Sequence, residues 1–171
     1  MSTATADDWN EIRAIVTRAQ RSTGHFAIAS VDDTGAPNIT PIGTLFLREN
    51  RTGYFFDRYT HALTRNVDTD PRICLMAVNS GGTYWLRALL TARFPTPPGI
   101  RLYGTAGPRR HASAAELDAL RRRVRPLRAL RGGKLLWSDL THVRDFTFTE
   151  FRLVRYPVMM PANTPPDRHF G

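Results

Sequence analysis

At 171 residues, with 42% hydrophobic and 23% charged residues, the chain fits one globular domain, residues 1–171, and demands no second. A lone Cys74 excludes an intrachain disulfide, and no apolar run approaches the roughly 18 residues of a membrane-spanning helix. The formal charge of +9 raises the question of a polyanionic partner.

The first twelve residues carry acids and no basic-then-apolar pattern, so no export signal or membrane association is expected, and the reducing cytoplasm is the expected setting. Asp7 and Asp8 precede Trp9, Ile12, Ile15, Val16 and Ala19, apolar positions three and four apart. This spacing predicts an amphipathic helix over 5–23. His25 to Val31 reads as a strand, Asp32-Asp33-Thr34-Gly35 as a hairpin turn, and Ala36 to Leu47 as one return strand. Pro41 cannot donate to a ladder, so that strand must bulge or sit at an edge there, and Gly43 admits a close neighbour. After a polar turn, Gly53 to Phe56 is a third strand. A short helix over about Thr60 to Asp68 ends at Asp70-Pro71, because the residue before proline disfavours helical geometry. Arg72 to Val78, nearly continuous in apolar residues, is expected to be a strand buried on both faces, with Cys74 as a small buried hydrophobe.

Thr83 to Phe94 is ambiguous, and a strand is favoured. Gly99 to Gly107 alternates as a strand, and Ser113 with Glu116 three residues on forms a capping box for a helix to about Val124. Leu127 to Leu140 is irregular or a second helix, Asp145 to Tyr156 is a closing strand, and the proline-rich 157–171 is an extended tail. Between Arg109 and Lys134, nine basic residues face only Glu116 and Asp118. Such a run is a solvated helix face, an attraction for a phosphorylated or polyanionic ligand, or a duplex-binding surface. The last is least favoured, since no zinc-finger, helix-turn-helix or aromatic RNA signature accompanies it. The order of elements predicts a mostly β fold with flanking helices, a closed or split β-barrel of about six or seven mainly antiparallel strands.

One stretch carries the chemistry. In Gly53 to Val78 a strand runs into a short helix that begins at Thr60 and His61 and carries Arg65 and Asn66. A helix start offers unbonded amides to an anion, and a phosphate suits it. The histidines show no metal-ligand spacing, there is no cysteine cluster, serine-hydrolase elbow or P-loop, and no metal is expected.

Three segments, His25 to Gly43, Tyr54 to Met76 and Ile100 to Leu120, resemble in this order the pyridoxamine 5′-phosphate oxidase-like family of flavin-binding split barrels. The resemblance spans roughly residues 5 to 156. It implies a homodimer holding FMN between subunits, with Asn38, Ile39, Thr40 and Pro41 along the ring edge. Phe56, Asp57, Arg58, Thr60 and His61 would pass beside the ribityl chain and phosphate, and Arg65 and Asn66 would lie beneath. Trp137 either covers the flavin across the interface or packs as a large apolar ring, and Thr60 is equally a simple helix cap. Many relatives place a phosphate-pairing lysine eight residues before the Asp-Pro proline. Here that position is Leu63, so Arg58, His61 or Arg65 substitutes, or flavin binds weakly, or another ligand binds. If the phosphate sits over this helix, Leu63→Lys is expected to tighten FMN.

The function implied is an FMN-dependent oxidoreductase acting on a small-molecule redox substrate, with no catalytic side chain assigned. The alternative is a protein that binds or senses flavin, deazaflavin or haem without turnover. An oxidase specific for pyridoxamine phosphate is disfavoured, because Arg168-His169 is a weak substitute for an arginine-rich C-terminal substrate motif.

Overall fold

A computed structural model describes residues 6–126, 131–137, 139–156, 158–160 and 168–169. The N-terminal helix, α1 (Ala6–Thr23), turns Trp9, Ile12, Ile15, Val16 and Ala19 inward, each at most 3% exposed. Complete burial of side chains of this size contributes about 1.5–3 kcal/mol each, and Trp9 adds a hydrogen bond from Nε1 to the carbonyl of Arg48 at 2.9 Å. Strands β1 (Phe26–Val31) and β2 (Pro37–Ile42) form the expected hairpin, with Gly35 at φ 86° in the left-handed region that the turn requires.

The return strand is broken. β2 ends at Ile42, the chain bends through Gly43 and Thr44, and β3 (Leu45–Leu47) pairs with β4 (Thr52–Phe56) at the far end of the sheet. A Cβ on Gly43 would meet the Gly24 carbonyl at 3.3 Å, which is the close approach expected there. Pro41 lies on an edge strand that pairs with β1 alone, the setting in which a sheet tolerates proline.

Helix α2 (His61–Thr69) follows β4, stops at the extended Asp70 and leads into β5 (Arg72–Val78). β5 alternates instead of being buried on both faces: Ile73, Leu75 and Ala77 face the core, while Cys74 and Met76 are half-buried on the other side. Thr83 to Phe94 is mainly helical, as α3 (Gly82–Thr91), not the expected strand. Its leucines misled the reading because Leu86, Leu89 and Leu90 remain exposed, while Tyr84 and Trp85 pack with Phe94 and Tyr156. β6 (Gly99–His111), α4 (Ala114–Val124), α5 (Arg131–Trp137) and β7 (His142–Val154) complete the body. The tail expected over 157–171 lies mostly outside the described residues, but β8 (Arg168–His169) pairs with β7.

All pairings are antiparallel, and the order β2-β1-β5-β6-β7-β4-β3 curls into a half-barrel. Inside it the α1 stripe meets Ile28, Phe55, Leu75, Ile100, Leu102 and Phe146. Outside, α4 covers Tyr54, Phe56 and Val143 to make a second, smaller core. The capping box forms as expected, with Ser113 Oγ accepting from the Glu116 amide at 3.3 Å and Glu116 Oε2 accepting from the Ser113 amide at 2.9 Å. Glu116 and Asp145 are clamped between Arg48 and Arg110 at 2.6–2.8 Å. Part of the basic run is thus internally neutralised, whereas Arg121, Arg122 and Arg125 face solvent.

Candidate functional site

Four segments meet at the start of α2. Asp57 follows the end of β4, a loop through Arg58 and Tyr59 leads into the helix, and the entry to β7 supplies Asp139, Thr141 and His142. The fourth contributor is Arg109. A register shift between Ala106 and Arg109 sets the end of β6 so that Arg109 stands opposite Arg144, and His111 opposite His142. These elements enclose an open cleft of about 410 Å³. Tyr59 holds φ at 64°, a strained value for a non-glycine residue.

Asp57 is the hub of the cleft floor. Its Oδ1 accepts hydrogen bonds from the hydroxyls of Thr60 and Thr64, each at 2.6 Å, and Oδ2 accepts from Arg144 Nε at 2.8 Å. Both side chains of the Asp57–Arg144 pair are 3% exposed. Arg144 also reaches Asp68 at 2.9 Å and donates to the Gly107 carbonyl at 3.2 Å. Burial is the largest influence on the Asp57 carboxyl and pushes its pKa up. The hydrogen bonds from Thr60, Thr64 and Arg144, with the Arg144 charge, outweigh it, and the carboxyl stays below the ordinary range.

Thr60 occupies the N-cap position of α2, but its hydroxyl serves Asp57 and makes no capping bond. The first-turn amides therefore remain without a side-chain cap at the cleft. Arg58 lines the cleft yet is tied to Asp139, donating to its carbonyl at 2.8 Å and its carboxylate at 3.1 Å. Arg109 is freer. Its side chain is 50% exposed, and its Nε stands 3.7 Å from Asp57 Oδ2. His61 is exposed at the rim. His142 lies 4.3 Å, ring to ring, from His111, and partial desolvation with the charge of Arg109 lowers its pKa, so the imidazole is neutral near pH 7.

The structure gathers Asp57, Arg58, Thr60 and His61 around the cleft, and sets the other expected residues elsewhere. Phe56 is buried in the outer core, and Trp137 packs against that same core. Asn66 is 3% exposed and donates to Ser30 Oγ at 3.0 Å, tying α2 to β1. Arg65 is exposed, and its charge acts on Asp32 in the β1–β2 turn. Asn38, Ile39, Thr40 and Pro41 form the free edge strand on the side of the sheet where α2 packs. Leu63 is fully buried in the main core. A lysine there would lose core packing before it reached an anion.

Sequence reasoning missed Thr64, Arg109, Asp139, Thr141 and His142 as cleft residues. A charged residue set into an apolar strand, as in YFFD and HVRD, is the one signal that pointed to a buried pair. No group of three or more metal-ligating side chains occurs among the described residues, and no described helix is long and apolar enough to cross a membrane.

The curled half-barrel, with a polar cleft at the start of the helix that joins β4 to β5, defines a split-barrel protein. The chain belongs to the pyridoxamine 5′-phosphate oxidase family, whose model matches residues 10–154. Among solved structures it is similar to an FMN-binding protein from Syntrophomonas wolfei, at 12% identity and a TM-score of 0.59, covering 88% of this chain and 90% of that one. HupZ from group A Streptococcus matches at 15% identity and 0.56, covering 86% and 96%. HutZ, the haem storage protein from Vibrio cholerae, matches at 12% and 0.53, covering 83% and 94%. At such identities the likeness is one of fold. No curated protein matches the sequence.

Proposed function

We propose that the protein is an FMN-dependent oxidoreductase for a small-molecule substrate, working as a cytoplasmic homodimer with the cofactor's phosphate at the start of α2. The observation that carries this reading is the uncapped first turn of α2 opening into the same cleft as Arg109 and His61. Thr60, Thr64, Arg58 and Arg144 are already engaged with carboxylates. The groups left for an anion are the helix amides, His61 and Arg109, which is half-exposed and paired with Asp57 only at 3.7 Å. They fit a phosphate monoester. Arg109 then supplies the cation that Leu63 does not.

When bound, the flavin ring supplies hydride and electron transfer. The chain's own part is to hold and to polarise. Asp57 fixes Thr60 and Thr64, and with them the direction of the α2 amides. As an edge strand, β2 leaves every second set of backbone groups open, and around Asn38 to Pro41 these can meet the polar edge of a ring. The second subunit would close the other side. Reconstitution with FMN tests the reading: stoichiometric uptake, with the flavin band bleached by a nicotinamide reductant, is the expected result. A protein that takes up no flavin refutes it.

A second reading, haem binding without turnover, is favoured by one observation, the pairing of His111 and His142 with ring centres 4.3 Å apart. A Soret band on native protein would select it over flavin. Mass spectrometry of the released molecule would separate FMN from a deazaflavin.

A further inference from the structure

Away from the cleft, α1 and α4 flank β3, and between them lies a cavity of about 110 Å³. Its polar side is formed by Arg13, Gln20 and Arg123, and its apolar walls include Val16, Phe26 and Leu47. Among the described residues of the basic run, Arg123 turns towards this cavity. It is half-buried, it donates one N–H to the Leu45 carbonyl, and its guanidinium carbon sits 3.5 Å from the centre of the Phe46 ring.

No carboxylate among the described residues pairs with Arg123. Burial, opposed only by the Tyr54 phenol, brings its pKa down to about 10. Its partners are one carbonyl, which answers a single one of its five N–H groups, and the face of the Phe46 ring, so the half-buried guanidinium keeps N–H groups for a further acceptor. Arg13 offers no relief. Its ion pair is with Glu49 at 3.9 Å, whose side chain is 89% exposed, so the two are weakly coupled through solvent. Two cations therefore face one partly apolar cavity with no acid between them.

We propose that this cavity is a binding site for a small aliphatic monocarboxylate, its carboxylate held by Arg123 and Arg13 and its tail packed among Val16, Phe26 and Leu47. At about 110 Å³ against about 410 Å³ for the cleft at α2, the cavity suits a short-chain acid, and its apolar walls favour one that carries an alkyl tail. Inorganic phosphate matches the charge but leaves the apolar wall uncovered, so the carboxylate is preferred. The site is independent of the cleft at α2.

Calorimetric titration of the full-length protein with acetate, propionate, butyrate, inorganic phosphate and chloride, at constant ionic strength, tests this. Butyrate should bind one site saturably, at least tenfold tighter than acetate, phosphate or chloride. Arg123→Met should weaken it tenfold or more and Arg13→Met severalfold, while Arg125→Ala, on the exposed face of the α4 terminus, should leave it unchanged. Should Arg123→Met fail to fold, Arg13→Met and the chain-length series decide. Absence of saturable binding, phosphate binding more tightly than butyrate, a flat chain-length series, or full affinity in a folded Arg123→Met or Arg13→Met protein would overturn the assignment.

Discussion

Replacing Asp57 by alanine probes the floor of the cleft. Asp57 and Arg144 come from segments 87 residues apart, meet at 2.8 Å, and are each 3% exposed in their side chains. Removing the carboxylate leaves Arg144 with only Asp68, which is 59% exposed, and the Gly107 carbonyl. It also frees two threonine hydroxyls. Breaking a buried pair from one side costs about 3–5 kcal/mol. For a chain of this size each kcal/mol moves Tm by about 2–4 °C, so a fall of roughly 6 to 20 °C is expected in scanning calorimetry. The double variant Asp57→Ala/Arg144→Met should regain part of that loss, because no charge is then stranded. A single variant within about 2 °C of the parent, or a double variant as unstable as the two singles combined, would refute the claim that this pair is a buried and mutually dependent unit.

Leu63→Lys, which a lysine-based phosphate site would welcome, is expected here to cost at least the price of a core leucine truncation, about 3 kcal/mol, and to lower Tm without tightening FMN. Thermal melts and a flavin titration check both halves. Gly104→Ala should be more damaging still, since a Cβ at that bulge would lie 2.0 Å from the Thr147 carbonyl oxygen, and urea unfolding should show a loss of more than about 3 kcal/mol. Hydrogen bonds from Arg110 are the largest influence on Glu116 and, despite its burial, hold its pKa at about 2, below the ordinary 4.5. Its contribution to stability is therefore complete above about pH 4.5 and drains away as the pH falls towards 2. Melting curves across that window should be steeper for the parent than for Glu116→Gln; parallel curves would contradict the Arg48–Glu116–Arg110 clamp.

Local chemistry was legible in the sequence. The α1 stripe, the Asp32 to Gly35 turn, the Ser113 capping box and the Asp70-Pro71 stop all depend on neighbours a few residues away. What failed was decided at long range. Ala36 to Leu47 reads as one strand because nothing in its alternation shows that its two halves belong to opposite edges of a curled sheet. Thr83 to Phe94 is ambiguous because its alanine and leucine content suits either element, and the Leu86, Leu89 and Leu90 stripe of the helix faces solvent instead of the core. The cleft was half visible. Asp57 to His61 stand out beside a strand end, whereas Arg109 and His142 reach the same place only through the register of β6 on β7. Leu63, adjacent in sequence to the cleft residue Thr64, points into the core because the helix turns about 100° per residue.

The central claim is that Arg109 and the open first turn of α2 hold the phosphate of FMN. The most direct measurement is the ratio of FMN to riboflavin affinity, by fluorescence titration, in the parent and in Arg109→Ala. A charge-assisted contact of about 1.5–3 kcal/mol corresponds to about one to two decades. The variant should lose about tenfold to a hundredfold for FMN and nothing for riboflavin, which carries no phosphate. Equal affinities for the two ligands in the parent, or a variant that weakens both alike, would contradict the account.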